Sequence, residues 1–244
     1  MTRTIRAAVC FTALLVCTAR ADVVVPNSAA AAEADGTFAL TSTGATGRTY
    51  QFTIDAGQLS GLVGQQILGL QWRLNGASTA AWPPANTTYA SWDVFMGPGV
   101  DPSAMSNTFA SNFTAAPTQV RSGPYAVTAG SFPAGGSPNP FGPALNFTTP
   151  FLYTGGDLAI EMRFAQQVGS TIQSPFDGVL ASGGPANGWG VDFSSRFATG
   201  STAVTGANAN FVVTNLVVPE PSSIALVGAA MAVALRRKPR QRSA

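Results

Sequence analysis

Between residues 37 and 217 hydrophobic side chains alternate with polar or small ones. Leu68, Leu70, Trp72 and Leu74 are interleaved with Gly69, Gln71 and Arg73. Leu158, Ile160, Met162 and Phe164 are interleaved in the same way with Ala159, Glu161, Arg163 and Ala165. A period of two puts one set of side chains on a buried face and the other towards solvent, as in a half-buried β-strand. The pattern recurs at Tyr50, Phe52 and Ile54, at Trp92, Val94 and Met96, at Trp189, Val191 and Phe193, and at Phe211 and Val213. Turn-forming clusters separate these runs, among them Gly97-Pro98-Gly99, Gly135-Gly136-Ser137-Pro138 and Gly183-Gly184-Pro185. No stretch of the region keeps a helical period. Many short strands predict an all-β domain over 37–217, an antiparallel β-sandwich or jelly roll.

The two ends of the chain read differently. Arg3 and Arg6 precede an apolar stretch from Ala7 to Cys17, and Ala19-Arg20-Ala21 supplies small residues for signal peptidase. Residues 1–21 are therefore expected to form a signal helix that is cleaved after Ala21, leaving Asp22 as the first mature residue. Residues 22–36, with the alanine run at 29–32, read as a linker. At the other end an apolar run from Ile224 to Leu235 is followed by Arg236, Arg237, Lys238, Arg240 and Arg242. Pro221 suits the first position of a helix. A helix over 221–235 would be about 22 Å long, against about 30 Å for the hydrocarbon core of a bilayer. On its own this run fits a core helix as well as a short transmembrane helix. The basic tail at 236–242 favours the membrane, because its side chains reach headgroups and hold that end in the cytoplasm. The expected arrangement places the β-domain outside.

The ends also distort the overall charge. The chain carries a formal net charge of +2, but eight of its thirteen cations lie in the leader and the tail. Between them remain Arg48, Arg73, Arg121, Arg163 and Arg196 against ten carboxylates, so the body is near −5. Such a domain has no basic footprint for nucleic acid. Both cysteines, Cys10 and Cys17, fall in the leader, so the mature body has neither a disulfide nor a thiolate ligand.

The chain has no histidine, and the body has no lysine. The usual bases of a nucleophilic triad and the usual transition-metal ligands are thus missing, and a non-catalytic body without cofactor or metal site is expected. Only carboxylate chemistry is left, from Glu33, Glu161, Asp55, Asp93, Asp101, Asp157, Asp177 and Asp192. Asp157 and Glu161 share a strand face and form the one candidate pair for glycoside cleavage. Arg163 lies on the same face, and a solvated face accounts for all three. Among the aromatics, Trp72 and Trp92 belong to alternating runs and read as core. Trp82, before Pro83-Pro84, and Trp189, between Gly188 and Gly190, read as loop residues able to stack on a sugar ring.

Val218-Pro219-Glu220-Pro221-Ser222, the apolar run and the arginine cluster follow one another at the C-terminus, opposite a signal peptide. In this order the segment 218–244 resembles the sorting signal of the PEP-CTERM family of exported bacterial proteins. The resemblance implies recognition at Pro-Glu-Pro by a membrane-embedded exosortase, a transient membrane anchor, and delivery to the cell surface or an extracellular polysaccharide matrix. Pro239 departs from the pattern by interrupting the basic cluster. A second resemblance links Ile67–Arg73, Ser106–Asn112 and Pro150–Leu158 to a β-rich module recurrent in PEP-CTERM proteins, to which no activity attaches. The preferred expectation is a non-catalytic surface or matrix protein. The alternative is a carbohydrate-binding or carbohydrate-cleaving module.

Overall fold

The computed structural model describes residues 22–41 and 46–219 of the 244-residue chain. The expected signal helix and C-terminal transmembrane helix lie outside these residues. Among the described residues no helix is long and apolar enough to cross a membrane.

The described chain is mostly β, and its strands pair antiparallel. One sheet contains β1 (Val23–Val25), β16 (Thr214–Val217), β4 (Gln65–Gln71) and β9 (Leu145–Tyr153), in that spatial order. A larger sheet runs β14 (Ala207–Asn208), β13 (Phe193–Thr199), β3 (Arg48–Ile54), β10 (Leu158–Phe164), β6 (Trp92–Pro98), β7 (Thr118–Arg121). Two small sheets complete the set. They are β11 (Gln167–Val168), β5 (Thr87–Tyr89), β8 (Tyr125–Val127), and β15 (Phe211–Val212), β12 (Phe176–Val179), β2 (Gly36–Phe38). The two large sheets meet at their edges, where Thr148 of β9 donates its hydroxyl to the Val120 carbonyl of β7 at 3.1 Å.

The alternation predicts the inner face of the large sheet well. Tyr50, Phe52 and Ile54 of β3, Ile160, Met162 and Phe164 of β10, and Trp92, Val94 and Met96 of β6 are all buried in one core. Ile67, Leu70 and Leu216 of the smaller sheet line the same core. At its centre the Trp92 ring stacks on Phe164 at 4.3 Å and on Trp72 at 6.0 Å, and Trp72 stacks on Phe176. Burying rings of this size supplies much of the hydrophobic driving force.

Three expectations need correction. Residues 22–36 are not a linker. They contain β1, and the carbonyl of Ala32 and the amide of Ala34 bond to buried groups of the body. Leu68 does not point inward, because a register shift between Ile67 and Gly69 gives the core position to Ile67 and leaves Leu68 half-buried. The run Trp189–Phe193 is not one strand, since β13 starts only at Phe193 and Val191 is 52% exposed in the preceding turn.

The outer face of the large sheet holds a greater surprise. Thr49, Gln51, Thr53, Glu161, Ser194 and Arg196 point away from the core yet are buried. The segment 102–112 lies over part of this face and is fastened to it by hydrogen bonds. Ser194 Oγ donates to the Pro102 carbonyl at 2.7 Å, Arg196 Nη2 to the Met105 carbonyl at 2.6 Å, and Gln51 Nε2 to the Phe109 carbonyl at 2.9 Å. Asn112 closes the network by donating to Gln51 Oε1 at 2.6 Å.

Arg73 is the other buried exception. Its Nε and Nη2 donate to Asp177 Oδ2 at 2.9 and 2.7 Å, and its Nη2 also reaches the Ala32 carbonyl. Asp177 Oδ1 accepts from the Ala34 amide at 3.2 Å, so a single ion pair ties β12 and the N-terminal segment to the end of β4. Removing one partner strands the other charge without water. Asp177→Ala is therefore expected to destabilise the body by about 3–5 kcal/mol in urea unfolding, and a loss below about 1 kcal/mol would show that the pair carries little.

Candidate functional site

On the outer face of the large sheet, beside the covering segment, lies a cleft of about 350 Å³. Phe95 of β6, Phe113, Pro117 and nearby alanines form apolar walls, and its polar lining comes from Glu161 and Arg163 of β10. Both polar residues reach it because positions 161 and 163 fall on the same side of the strand. Glu161 is 1% exposed, accepting from Gln51 Nε2 at 2.8 Å through Oε2 and from Arg163 Nε at 2.5 Å through Oε1. Burial pushes its carboxyl above the ordinary carboxylate range, and the adjacent Arg163 charge and hydrogen bond pull the other way. The Arg163 side chain is 42% exposed, and its guanidinium sits 4.8 Å from the centre of the Phe95 ring. A carboxylate held in place, an accessible guanidinium and two aromatic rings give the cleft both hydrogen-bonding and stacking capacity. Two aromatic walls and one convergent polar pair are the features of a small-ligand pocket.

Asp157 does not join Glu161. The two are four positions apart, about 13 Å along an extended strand, which exceeds the spacing of either glycosidase geometry. Asp157 instead meets Asp55 and Asp101, one carboxylate oxygen of each lying within 4.8 Å of the others. Three hard oxygens of this kind are the donor type preferred by Ca²⁺, though fewer than its usual six to eight ligands. Each also has a structural partner. Asp55 Oδ1 accepts from the Gly57 amide at 2.7 Å and Asp101 Oδ1 from the Ser103 amide at 2.8 Å, capping short 3₁₀ turns, and Asp157 Oδ1 accepts from the Ala56 amide at 2.9 Å. Spacing in the sequence gives no sign of this grouping, because the three residues come from separate loops.

The tryptophans divide. Trp82 is 3% exposed, packs edge-on against Phe132 and Phe176 at 5.4 and 5.6 Å, and donates its indole N–H to the Ile172 carbonyl at 2.9 Å. It is a core residue and offers no face to a sugar, contrary to its expected loop position. The reason is an isolated antiparallel bridge that pairs Trp82 with Phe132, far along the chain. Trp189 remains half-buried, following Gly188, whose φ of 88° makes the turn that presents it. Its indole N–H donates to the Ala209 carbonyl at 3.2 Å and the Arg196 guanidinium lies 5.6 Å from its ring.

All five arginines of the body rest on aromatic rings, Arg48 over Phe38 and Phe197, Arg73 over Phe141, and Arg121 over Tyr125, besides Arg163 and Arg196. Arg73, Arg121 and Arg196 are buried. The exposed charge of the described body is consequently acidic.

Glu161 provides a pH test. A carboxyl whose folded pKa is raised binds its proton more tightly in the native state, so its contribution to stability is favourable at acid pH and is lost as pH rises through that titration. The stability difference between wild type and Glu161→Gln is expected to shift against the wild type as pH rises from the ordinary carboxylate range towards neutrality. Parallel urea titrations across this range would measure it, and a difference independent of pH would contradict the assignment.

The last strand, β16, ends at Val217, and Val218 and Pro219 continue directly from it. Residues 217–238 match the family model of the PEP-CTERM protein-sorting motif. No curated protein and no solved structure matches the chain. The chain thus carries a PEP-CTERM sorting motif at residues 217–238, which supports an exported protein targeted to an exosortase.

Proposed function

We propose that signal peptidase releases the chain after Ala21, that the helix over 221–235 with the stop formed by Arg236, Arg237, Lys238, Arg240 and Arg242 anchors it transiently, and that exosortase acts at Val218-Pro219-Glu220-Pro221-Ser222. The body, two large antiparallel sheets arranged as a sandwich or jelly roll, then serves as a non-catalytic component of the cell surface or extracellular matrix. The sorting-motif match carries this reading. It is supported by the commitment of the body's carboxylates to structural work, such as the Asp177–Arg73 pair and the turn caps at Asp55 and Asp101. The test is fractionation in a host that carries an exosortase. The full chain is expected to pass through the membrane fraction before it appears outside, while a chain ending at Pro219 goes directly to the medium. Identical routes for the two would overturn the proposal.

The cleft favours a second reading, a module that binds extracellular polysaccharide. Phe113 and Phe95 would stack on a sugar ring while Arg163, held in place by Glu161, donates to its hydroxyls. Trp189 is the alternative platform. On a glycan array, Phe113→Ala is expected to weaken binding about tenfold or more if the cleft is the site, whereas Trp189→Ala would do so if the loop is. Absence of specific glycan binding by the wild type would exclude this second reading.

A further inference from the structure

The sorting motif begins inside the fold. The matched segment starts at Val217, the last residue of β16, and β16 is a central strand with β1 on one side and β4 on the other. Val217 is paired with Gly69, and Val218 is 4% exposed. The Val218 amide donates to Asp22 Oδ1 at 2.9 Å, and Asn215 Nδ2 donates to Asp22 Oδ2 at 2.9 Å. Both oxygens of one carboxylate thus hold the end of β16, across 196 residues of sequence. The next residue, Pro219, is exposed, and it has no amide hydrogen with which to extend the sheet. Asp22 is also the residue that signal-peptide removal is expected to leave first. The clasp therefore joins the two points at which processing meets the folded body.

A processing enzyme that grips its substrate as an extended segment needs unpaired backbone. Among the described residues Val217 and Val218 are already bonded and do not belong to that supply. Five residues, 219–223, then separate the sheet from the apolar run that starts at Ile224, a reach of about 17 Å when fully extended. Freeing Val217 and Val218 would lengthen it to seven residues, about 24 Å.

We propose that Asp22 is a positioning residue for processing of the tail: its clasp on Val218 and Asn215 keeps the accessible motif short and thereby slows the action of the exosortase on the folded body. The proposal rests on the reading that exosortase processes this tail. Loss of one hydrogen bond of ordinary net strength would raise the fraction of chains with Val218 open about tenfold. The local nature of the contact means that the rest of the fold is little affected.

The experiment follows the full chain in an exosortase-bearing host, as wild type, Asp22→Ala and Asp22→Asn. Tail loss is timed by pulse-chase with intact-mass detection, which also reports whether the signal peptide has been removed. Hydrogen exchange of the Val218 amide is measured on the same proteins. Asp22→Ala is expected to raise exchange at Val218 and to speed tail loss, up to about tenfold for each. Core amides such as that of Ile160 should keep their protection. Asp22→Asn retains an acceptor oxygen for the Val218 amide and should return both readouts towards wild type. Faster exchange at Val218 with tail loss unchanged or slower would overturn the positioning role while leaving exosortase processing intact. Retention of the tail by the wild type would instead overturn the processing reading, and the proposal with it.

Discussion

The pairing of β16 between β1 and β4 is the constraint on which the rest of the molecule depends. A central strand must satisfy backbone groups on both edges, so the first strand of the described chain and the last are held together as neighbours. Val23 faces Leu216, Val24 faces Asn215 and Val25 faces Thr214. The chain consequently enters and leaves the body at one edge of one sheet. Asp22 and Val218, 196 residues apart in sequence, are thereby adjacent in the fold.

Charge is managed with similar economy. A body with five arginines and no lysine has few cations with which to neutralise buried carboxylates, and each arginine is placed to act more than once. Arg73 neutralises Asp177 and bonds the Ala32 carbonyl while lying over Phe141. Arg121 donates to the carbonyls of Gly123 and Pro124 and lies over Tyr125. Guanidinium suits these tasks because it is planar, weakly hydrated and rich in donors. Glu161 is the exception that opens to a cleft, since its partner Arg163 is partly exposed. That makes the outer face of β10 a place where the body's polar interior meets an open cleft.

Local patterns in the sequence revealed what local physics decides. The alternation in β3, β6 and β10 reports a packed face, and the core residues follow it closely. The sorting motif was also legible, because the segment itself is what a partner reads. Non-local features were hidden. Gln51, Glu161 and Arg196 look like solvated strand residues until segment 102–112 folds over them, and nothing in β3, β10 or β13 announces that cover. Trp82 looks like a loop residue beside two prolines until Phe132 pairs with it. Asp22 looks like the start of a linker, and only the return of the chain after nearly two hundred residues gives it Val218 to hold. The same holds for Asp55, Asp101 and Asp157, three turn residues that tertiary folding brings together.

On the proposed reading the folded body runs from Asp22 to Val218, and processing removes what lies outside it at each end. The intact mass of the mature protein recovered from an exosortase-bearing host tests both ends at once. The account predicts a chain that starts at Asp22 and ends at or shortly after Pro219, within the Pro-Glu-Pro motif. A mature chain that still ends at Ala244, or one cut before Val218 inside β16, would contradict it.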